Sequence, residues 1–307
     1  MKVLITGGAG FIGSHIAEAL LKKNYEVRIL DNFSTGEKEN IKGIKAEVIE
    51  GSITDKKAVD EAMKGIDYLF HQAAQVSVAD SVKNPARTWD INIKGTKLVL
   101  NAAVKNKVKK VIVASSAAVY GDDPQLPKRE EMKPQPISPY GNSKLMNEYM
   151  AENEHRINGL NAICLRYFNV YGPRQSPKSE YAGVISKFIE KMTKGERPTI
   201  YGDGEQTRDF VYVEDVVNAN ILAMENEKVK SGVFNIATGK ETSINELVRT
   251  INEILGKNIQ PIYEPAREGD IKRSVADITK AKRKLGYEPK YTLKDGLKKT
   301  IEWYEKR

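Results

Sequence analysis

The chain is poor in the residues that staple or ligate. It has one cysteine and three histidines in 307 residues. A lone Cys164 makes no internal disulfide, which suits a reducing compartment. Within the apolar run AICLRY it reads as a small buried hydrophobe. His15, His71 and His155 are scattered, so no metal-ligand spacing appears and no metal is expected. No apolar run approaches the ~20 residues of a membrane span. The opening MKVLIT reads as a strand and not as the charged head of a signal peptide, so a cytoplasmic protein without a membrane partner is expected. Repeats and low-complexity linkers are missing, and 40% hydrophobic with 29% charged residues carries no disorder signature. Acidic excess is also lacking, since the net charge is +8. The lysines alternate with Glu and Asp, as in AVKNKVKK and KKTIEWYEKR, which fits solvated helix faces. No nucleic-acid partner is expected from that pattern, and an anionic small substrate fits the sign.

What is present is a regular alternation. KVLIT reads as a strand, FIGSHIAEALLKKN as an amphipathic helix and EVRILD as a strand. AEVIEG, TDKKAVDEAMKG and DYLFHQA continue as strand, helix and strand. A long helical stretch is predicted from Pro85 to Asn106, followed by the apolar strand KKVIVASS. Such alternation implies a parallel sheet with crossover helices, and runs like Val111–Val113 suit strands buried on both faces. The proline-rich PKREEMKPQPISP reads as a loop, with a helix from Tyr140. Beyond Arg166 the alternation weakens, and that part is expected to cap the sheet.

Gly7, Gly10 and Gly13 form GxxGxxG between the first strand and the first helix. Glycine permits the tight turn and lets backbone N–H groups approach a pyrophosphate, which the helix N-terminus also attracts. Asp31 ends the next strand, about 20 residues on. A carboxylate there accepts from a ribose diol and repels a 2′-phosphate, so NAD is expected in preference to NADP. Tyr140 and Lys144, the only Tyr-x-x-x-Lys in the chain, share one helix face. An ammonium near a phenol lowers the tyrosine pKa toward working pH. Ser115 and Ser116 end the preceding strand, and either could hydrogen-bond a reacting hydroxyl.

With those pieces in place, Gly7–Gly13, HQAAQVSV, SSAAVYG, SPYGNSK, LRYFNVYGPRQ, RDFVYVEDVV and REGDIKRSVADITKAKRKLGY together resemble the extended short-chain dehydrogenase/reductase superfamily. Within it the chain is most similar to the UDP-sugar 4-epimerases. The resemblance implies an α/β fold, a Rossmann-type doubly wound parallel sheet with a smaller C-terminal substrate-binding domain. Residues 1–168, with a return segment about 207–238, would bind NAD; 169–206 and 239–307 would bind the nucleotide-sugar. Tyr140 would take the sugar 4-hydroxyl proton, Lys144 would hold the nicotinamide ribose, and Ser116 rather than Ser115 would be the catalytic serine. The cofactor site would take in Gly7, Gly10, Phe11, Ile12, Gly13, Asp31, Asn32, Ser34, Gly36, Ser52, Ile53, Gln72, Ala73, Ala74, Asn92, Ser115, Tyr140, Lys144 and Tyr167. The substrate site would take in Ser116, Ala117, Tyr140, Asn169, Val184, Tyr201, Arg208, Arg267, Asp270 and Ser274, with the arginines on the diphosphate. Hydride would leave sugar C4 for NAD⁺, the 4-keto sugar would turn over, and hydride would return to the other face.

Departures within the family sharpen the expectation. Dehydratases and decarboxylases carry an acid where this chain has Ala117 and Ala118, and an alanine transfers no proton. Ser274 stands where narrow-specificity epimerases carry a tyrosine, so UDP-GlcNAc/UDP-GalNAc is expected to fit alongside UDP-glucose/UDP-galactose. Ser52 replaces the family's usual adenine-binding aspartate. A UDP-glucuronate 4-epimerase or another nucleotide-sugar oxidoreductase is the alternative, and a non-catalytic NAD(H)-binding sensor a distant one. The helices around Thr88–Asn106 and Tyr140–Arg156 match those that pair in family homodimers, so a homodimer is expected.

Overall fold

The computed structural model describes residues 1–176, 183–266 and 271–306. β1 (Lys2–Thr6) leads through the glycine turn into α1 (Phe11–Lys22), then β2 (Glu26–Asp31), β3 (Glu47–Glu50), α2 (Lys56–Met63) and β4 (Tyr68–His71). Two short helices, α3 (Val78–Lys83) and α4 (Pro85–Trp89), precede α5 (Thr96–Lys105). β5 (Lys110–Ser116) runs into a 3-10 turn at Ala117–Tyr120, and a loop then leads to α6 (Pro139–Asn158) and β6 (Ala162–Tyr167). The second half supplies β7 (Asn169–Tyr171), α7 (Val184–Thr193), β8 (Thr199–Tyr201), β9 (Thr207–Arg208), β10 (Phe210–Tyr212) and α8 (Val213–Glu225). β11 (Ser231–Ile236), β12 (Thr242–Ser243), α9 (Ile244–Leu255), β13 (Ile262–Glu264), α10 (Thr279–Leu285) and α11 (Leu293–Glu305) complete it.

The central sheet has seven parallel strands in the order β11-β6-β5-β4-β1-β2-β3. Its two faces bury separate cores, as strand alternation demands. Val3 and Ile5 join α1 and α8 residues such as Ile16, Leu20 and Val216 on one face. Leu4, between them, joins Val59, Met63, Val99, Leu100 and Ala151 of α2, α5 and α6 on the other. The first core continues without a break into Phe188, Ile200, Leu247 and Ile301 of the second half. The chain reverses its winding at β1, between β2 and β4, which is where open α/β sheets leave a crevice at the strand C-terminal ends.

Local chemistry explains the helix starts. Ser138 accepts the Gly141 N–H and Pro139 fills the first helical position, so α6 begins one residue before the expected Tyr140. Gly159, left-handed at φ 69°, ends it. The stretch expected as one helix from Pro85 to Asn106 is α4, a π-helical turn at Asp90–Gly95, and α5. The wider turn accompanies Asn92, whose amide is wholly engaged across the site. No helix among the described residues is long and apolar enough to cross a membrane.

Candidate active site

The glycine turn joins β1 to α1 with little room to spare. Gly7 has φ 72°, and a Cβ on it would stand 2.7 Å from the Ala73 nitrogen just beyond β4. A Cβ on Gly13 would overlap the Gly7 carbonyl oxygen. Gly10 caps α1 with no side-chain hydrogen bond, and the first helical turn carries no acid. The N–H groups of Phe11 and Ile12 therefore open an uncapped, positively polarised helix end. Asp31 closes the turn from β2: its carboxylate accepts from Ala9 N–H at 2.9 Å and Phe33 N–H at 2.8 Å. Gly36 packs against Ala9 and Asp31, while Asn32 accepts from the Ser34 hydroxyl at 2.8 Å.

The expected catalytic residues meet where β5 faces α6. The Ser116 hydroxyl lies beside the Tyr140 phenol, where it works to lower the phenol's pKa, and it accepts from Ala118 N–H at 3.1 Å. Ser115, its neighbour, turns to the other side and donates to Glu148 at 2.5 Å. Strand alternation thus separates the two serines: Ser116 faces the phenol, and the Ser115 hydroxyl is committed inside the helix–sheet interface. Lys144 is buried, with Nζ donating to the Ala114 carbonyl at 2.9 Å and lying 5.8 Å from the Tyr140 ring centre.

The pKa directions modify the sequence expectation. Tyr140 is pushed up by burial, with the Ser116 hydroxyl acting against the rise. Lys144, aimed at a carbonyl, does not bring the phenol down as expected. It is itself lowered to about 8, because burial penalises its charge. Behind it His71 is wedged between Thr6 and Thr96, at 2.7 and 2.8 Å. The Thr96 hydroxyl already donates to the Asn92 carbonyl at 2.6 Å, so it accepts from His71 Nε2–H. Nδ1 then accepts from Thr6, and burial lowers the ring to about 3, keeping it neutral.

Asn92 ties the neighbourhood together. It accepts from Gln75 N–H at 2.7 Å and donates to the Gln75 carbonyl and the Ser143 hydroxyl, both at 2.9 Å. Gln72 donates to the Tyr167 hydroxyl at 3.1 Å, and that hydroxyl donates to Asn220 at 2.9 Å. Asn220 on α8 was not singled out in the sequence, and its burial shows only in the structure. Ile53 is buried against Gly95, and Ala73 and Ala74 follow β4 beside the glycine turn. The Ser52 hydroxyl is spent within its own turn, on Thr54 N–H at 3.1 Å and the Thr54 hydroxyl at 2.8 Å.

A cavity of about 250 Å³ opens in the second half. It is lined by Asn169, Val184, Phe188, Thr199, Ile200, Tyr201, Gln206, Arg208 and Ile244. Four expected substrate residues, Asn169, Val184, Tyr201 and Arg208, thus line one cavity. Gln206 was missed; it donates to the Tyr201 carbonyl at 2.7 Å. Arg208 is steered by the Thr207 and Ile271 carbonyls at 2.9 and 2.6 Å. Next to it buried Asp209 gathers Thr238 N–H and hydroxyl, Gly239 N–H and Ala276 N–H, pinning the 274–277 segment. Ala117 opens the 3-10 turn, and Ser274 is half-buried two residues before Ala276. Arg267 and Asp270 lie outside the described residues. Among the described residues no cluster of His, Cys, Asp and Glu could hold a metal.

Residues 3–237 match the sequence model of the NAD dependent epimerase/dehydratase family. The chain belongs to that family. A putative UDP-glucose 4-epimerase of Methanocaldococcus jannaschii is 47% identical over 98% of this chain and 97% of its own. The crystal structure of a Thermotoga maritima UDP-glucose 4-epimerase with UDP-glucose superposes with TM-score 0.96 at 46% identity, covering 100% and 99% of the two chains. A UDP-N-acetylglucosamine 4-epimerase of Methanobrevibacter ruminantium, in complex with UDP-N-acetylmuramic acid, gives 0.95 at 41%, covering 99% and 98%.

Within the family the chain groups with UDP-sugar 4-epimerases, which are NAD-dependent isomerases. NAD is its cofactor. The turn fits that group: three glycines leave a cradle that Cβ atoms would fill, and the uncapped start of α1 suits a diphosphate.

Proposed function

We propose that this enzyme epimerises UDP-hexoses at C4, with UDP-GlcNAc/UDP-GalNAc accepted alongside UDP-glucose/UDP-galactose. The observation that carries the reading is the meeting of Ser116 at the end of β5 with Tyr140 on α6, with Lys144 one helical turn behind the phenol. Bound NAD supplies reversible hydride acceptance. Tyr140 takes the 4-hydroxyl proton and returns it, Ser116 orients the phenol, and Lys144, one turn along α6, would hold the nicotinamide ribose. Ala117 and Ala118 put no acid or base beside Ser116, so the site supports oxidation and re-reduction without elimination. Asn169 and Arg208, which line the 250 Å³ cavity, suit the anchoring of a diphosphate while the keto sugar turns. Asn92 and Gln72 brace the cofactor side, and residues 1–168 with 207–238 are proposed as the cofactor unit.

That N-acetyl sugars are accepted is inferred from Ser274. A serine leaves more room than the tyrosine of narrower relatives, and a change of that size commonly moves specificity by about 1–3 kcal/mol. Ser274→Tyr is expected to cut the UDP-GlcNAc rate about tenfold or more and spare UDP-glucose; equal rates for UDP-GlcNAc in both proteins would remove the pocket argument.

Proton NMR of the purified enzyme with UDP-GlcNAc, and separately with UDP-glucose, tests the whole reading. C4 epimers are expected without added NAD. No change with either substrate, with or without NAD, would overturn it, and UDP-glucuronate would be tried next.

A further inference from the structure

Tyr140, Lys144 and Glu148 recur at every fourth residue of α6, so they form one stripe on one helix face. Three consecutive residues of β5 meet it. The Ala114 carbonyl takes Lys144 Nζ at 2.9 Å, the Ser115 hydroxyl donates to Glu148 at 2.5 Å, and the Ser116 hydroxyl lies beside the Tyr140 phenol. Two of these contacts belong to the reacting groups already described. The third does not.

Glu148 is also held from the sheet. Arg166, the cross-strand partner of Ser115, donates Nε and Nη2 to its two carboxylate oxygens at 2.8 and 2.7 Å. Both side chains are almost wholly buried, at 4% and 3% exposure, so the pair is dry. The Arg166 guanidinium stacks 4.7 Å over the Tyr120 ring, and the Tyr120 hydroxyl donates to Asn235 at 2.7 Å. Tyr120 ends the 3-10 turn that Ser116 begins. One carboxylate thus joins α6, β5, β6 and, through Arg166, the turn that bears Ser116. A dry ion pair is a poor source of net stability, because desolvation offsets the attraction. Its forked geometry, however, admits little play.

We propose that Glu148, locked by Arg166 and read by Ser115, is a positioning residue for proton transfer at Tyr140. It sets where α6 rests on the end of β5, and so the separation of the Ser116 hydroxyl from the phenol. This inference rests on the proposed role of Tyr140 as the group that moves the proton. A displacement of about 1 Å at such a pair costs up to a hundredfold in rate.

The test uses the holoenzyme with Ser115→Ala, Ser115→Thr and Glu148→Gln. Ser115→Ala removes one hydrogen bond and no charge, so the fold is kept. Its kcat is expected to fall about three- to tenfold, as one hydrogen bond is worth. KM for the UDP-sugar should stay within about twofold, because the diphosphate wall is untouched. Ser115→Thr restores the hydroxyl and should recover the rate. Glu148→Gln should cost about ten- to a hundredfold in kcat and move the pH at which half the activity is lost. The groups around Tyr140 are Lys144 on its own helix, with His71 of β4 and Cys164 of β6 behind the lysine, so that shift reports the Tyr140–Lys144 unit. Hydrogen exchange of amides 140–144 should quicken in both Ser115→Ala and Glu148→Gln, a readout independent of turnover. Unchanged kcat, pH profile and exchange in Ser115→Ala, with only a lower melting temperature in Glu148→Gln, would overturn the proposal. If the wild-type protein turned over no UDP-sugar, the epimerase reading would fail while the exchange experiment still decided the positioning role.

Discussion

At the scale of single residues, Tyr140 works against its surroundings. Burial raises its pKa, and only the Ser116 hydroxyl pulls the other way within the described site. The phenol therefore needs its neighbours to lose a proton near neutral pH, and removing the hydroxyl removes the chemistry. Tyr140→Phe should lower kcat by about 10²–10⁴-fold and leave KM within a few-fold, since general acid–base catalysis contributes that much. Stopped turnover assays with UDP-GlcNAc would measure it, and retention of a tenth of the rate would mean another group takes the proton. His15 offers a test of pH dependence away from the chemistry. Its Nε2–H donates to the Pro173 carbonyl at 2.9 Å, and burial lowers its pKa from 6.5 to about 4. The unfolded chain therefore takes up the proton first as pH falls. His15 adds stability above pH 6.5 and loses it progressively toward pH 4, at no more than about 1.4 kcal/mol per pH unit. His15→Gln keeps a donor for Pro173 and removes the titration. Urea unfolding should show a shallower fall in stability from pH 6.5 to pH 4.5 in the variant than in the wild type. Parallel curves would exclude His15 as the titrating group.

At the scale of elements, the β1–turn–α1 unit is the most exacting. A Cβ on Gly13 would overlap the Gly7 carbonyl, so Gly13→Ala must push α1 away from the turn. The expected cost is about 1–3 kcal/mol of stability, as overpacking costs elsewhere. More telling would be the loss of NAD retained through purification, measured in the acid extract of the protein. Full retention would show that the turn tolerates the shift. This unit, the strands through β5 and the helices α2, α5 and α6 were legible in sequence because their signals are local: glycine spacing, periods of 2 and 3.6, and runs such as Val111–Val113. Ser116 was singled out over Ser115 on resemblance; strand alternation turns the two serines to different sides, and the Ser115 hydroxyl bonds Glu148. What sequence could not show was made by distant contact. β7 with β10, β9 with β12 and β8 with β13 pair only two or three residues each, too few to carry a pattern. The π-helical turn at Asp90–Gly95 looks helical in sequence, and only the reach of Asn92 to Gln75 and Ser143 shows why it widens. Gln206 and Asn220 were missed for the same reason: a lone amide has meaning only once its partners are placed. The raised pKa of Tyr140 depends on burial, which spacing does not report.

At the scale of the whole molecule, the exposed apolar side chains are unevenly spread. Val78, Val82, Trp89, Met146 and Tyr149 stand on α3, α4 and α6, helices that pack on one another beside the active site. Trp89 and Tyr149 are 51% and 47% exposed. Large side chains gathered this way on a surface suit a partner. The proposed occupant is a second copy of the chain, seated on α4, α5 and α6. A stable self-association buries at least about 1,000 Å², with aromatics at its centre. Sedimentation of the wild type should then give twice 34.3 kDa, and the double variant Trp89→Lys with Tyr149→Lys should sediment as a 34.3 kDa monomer. Because α6 carries Tyr140 and Lys144, the monomer should also lose part of its kcat, an effect that a surface change without a partner would not produce. A wild type that stays at the monomer mass across micromolar concentrations would refute this assembly, and the apolar helices would then need another partner.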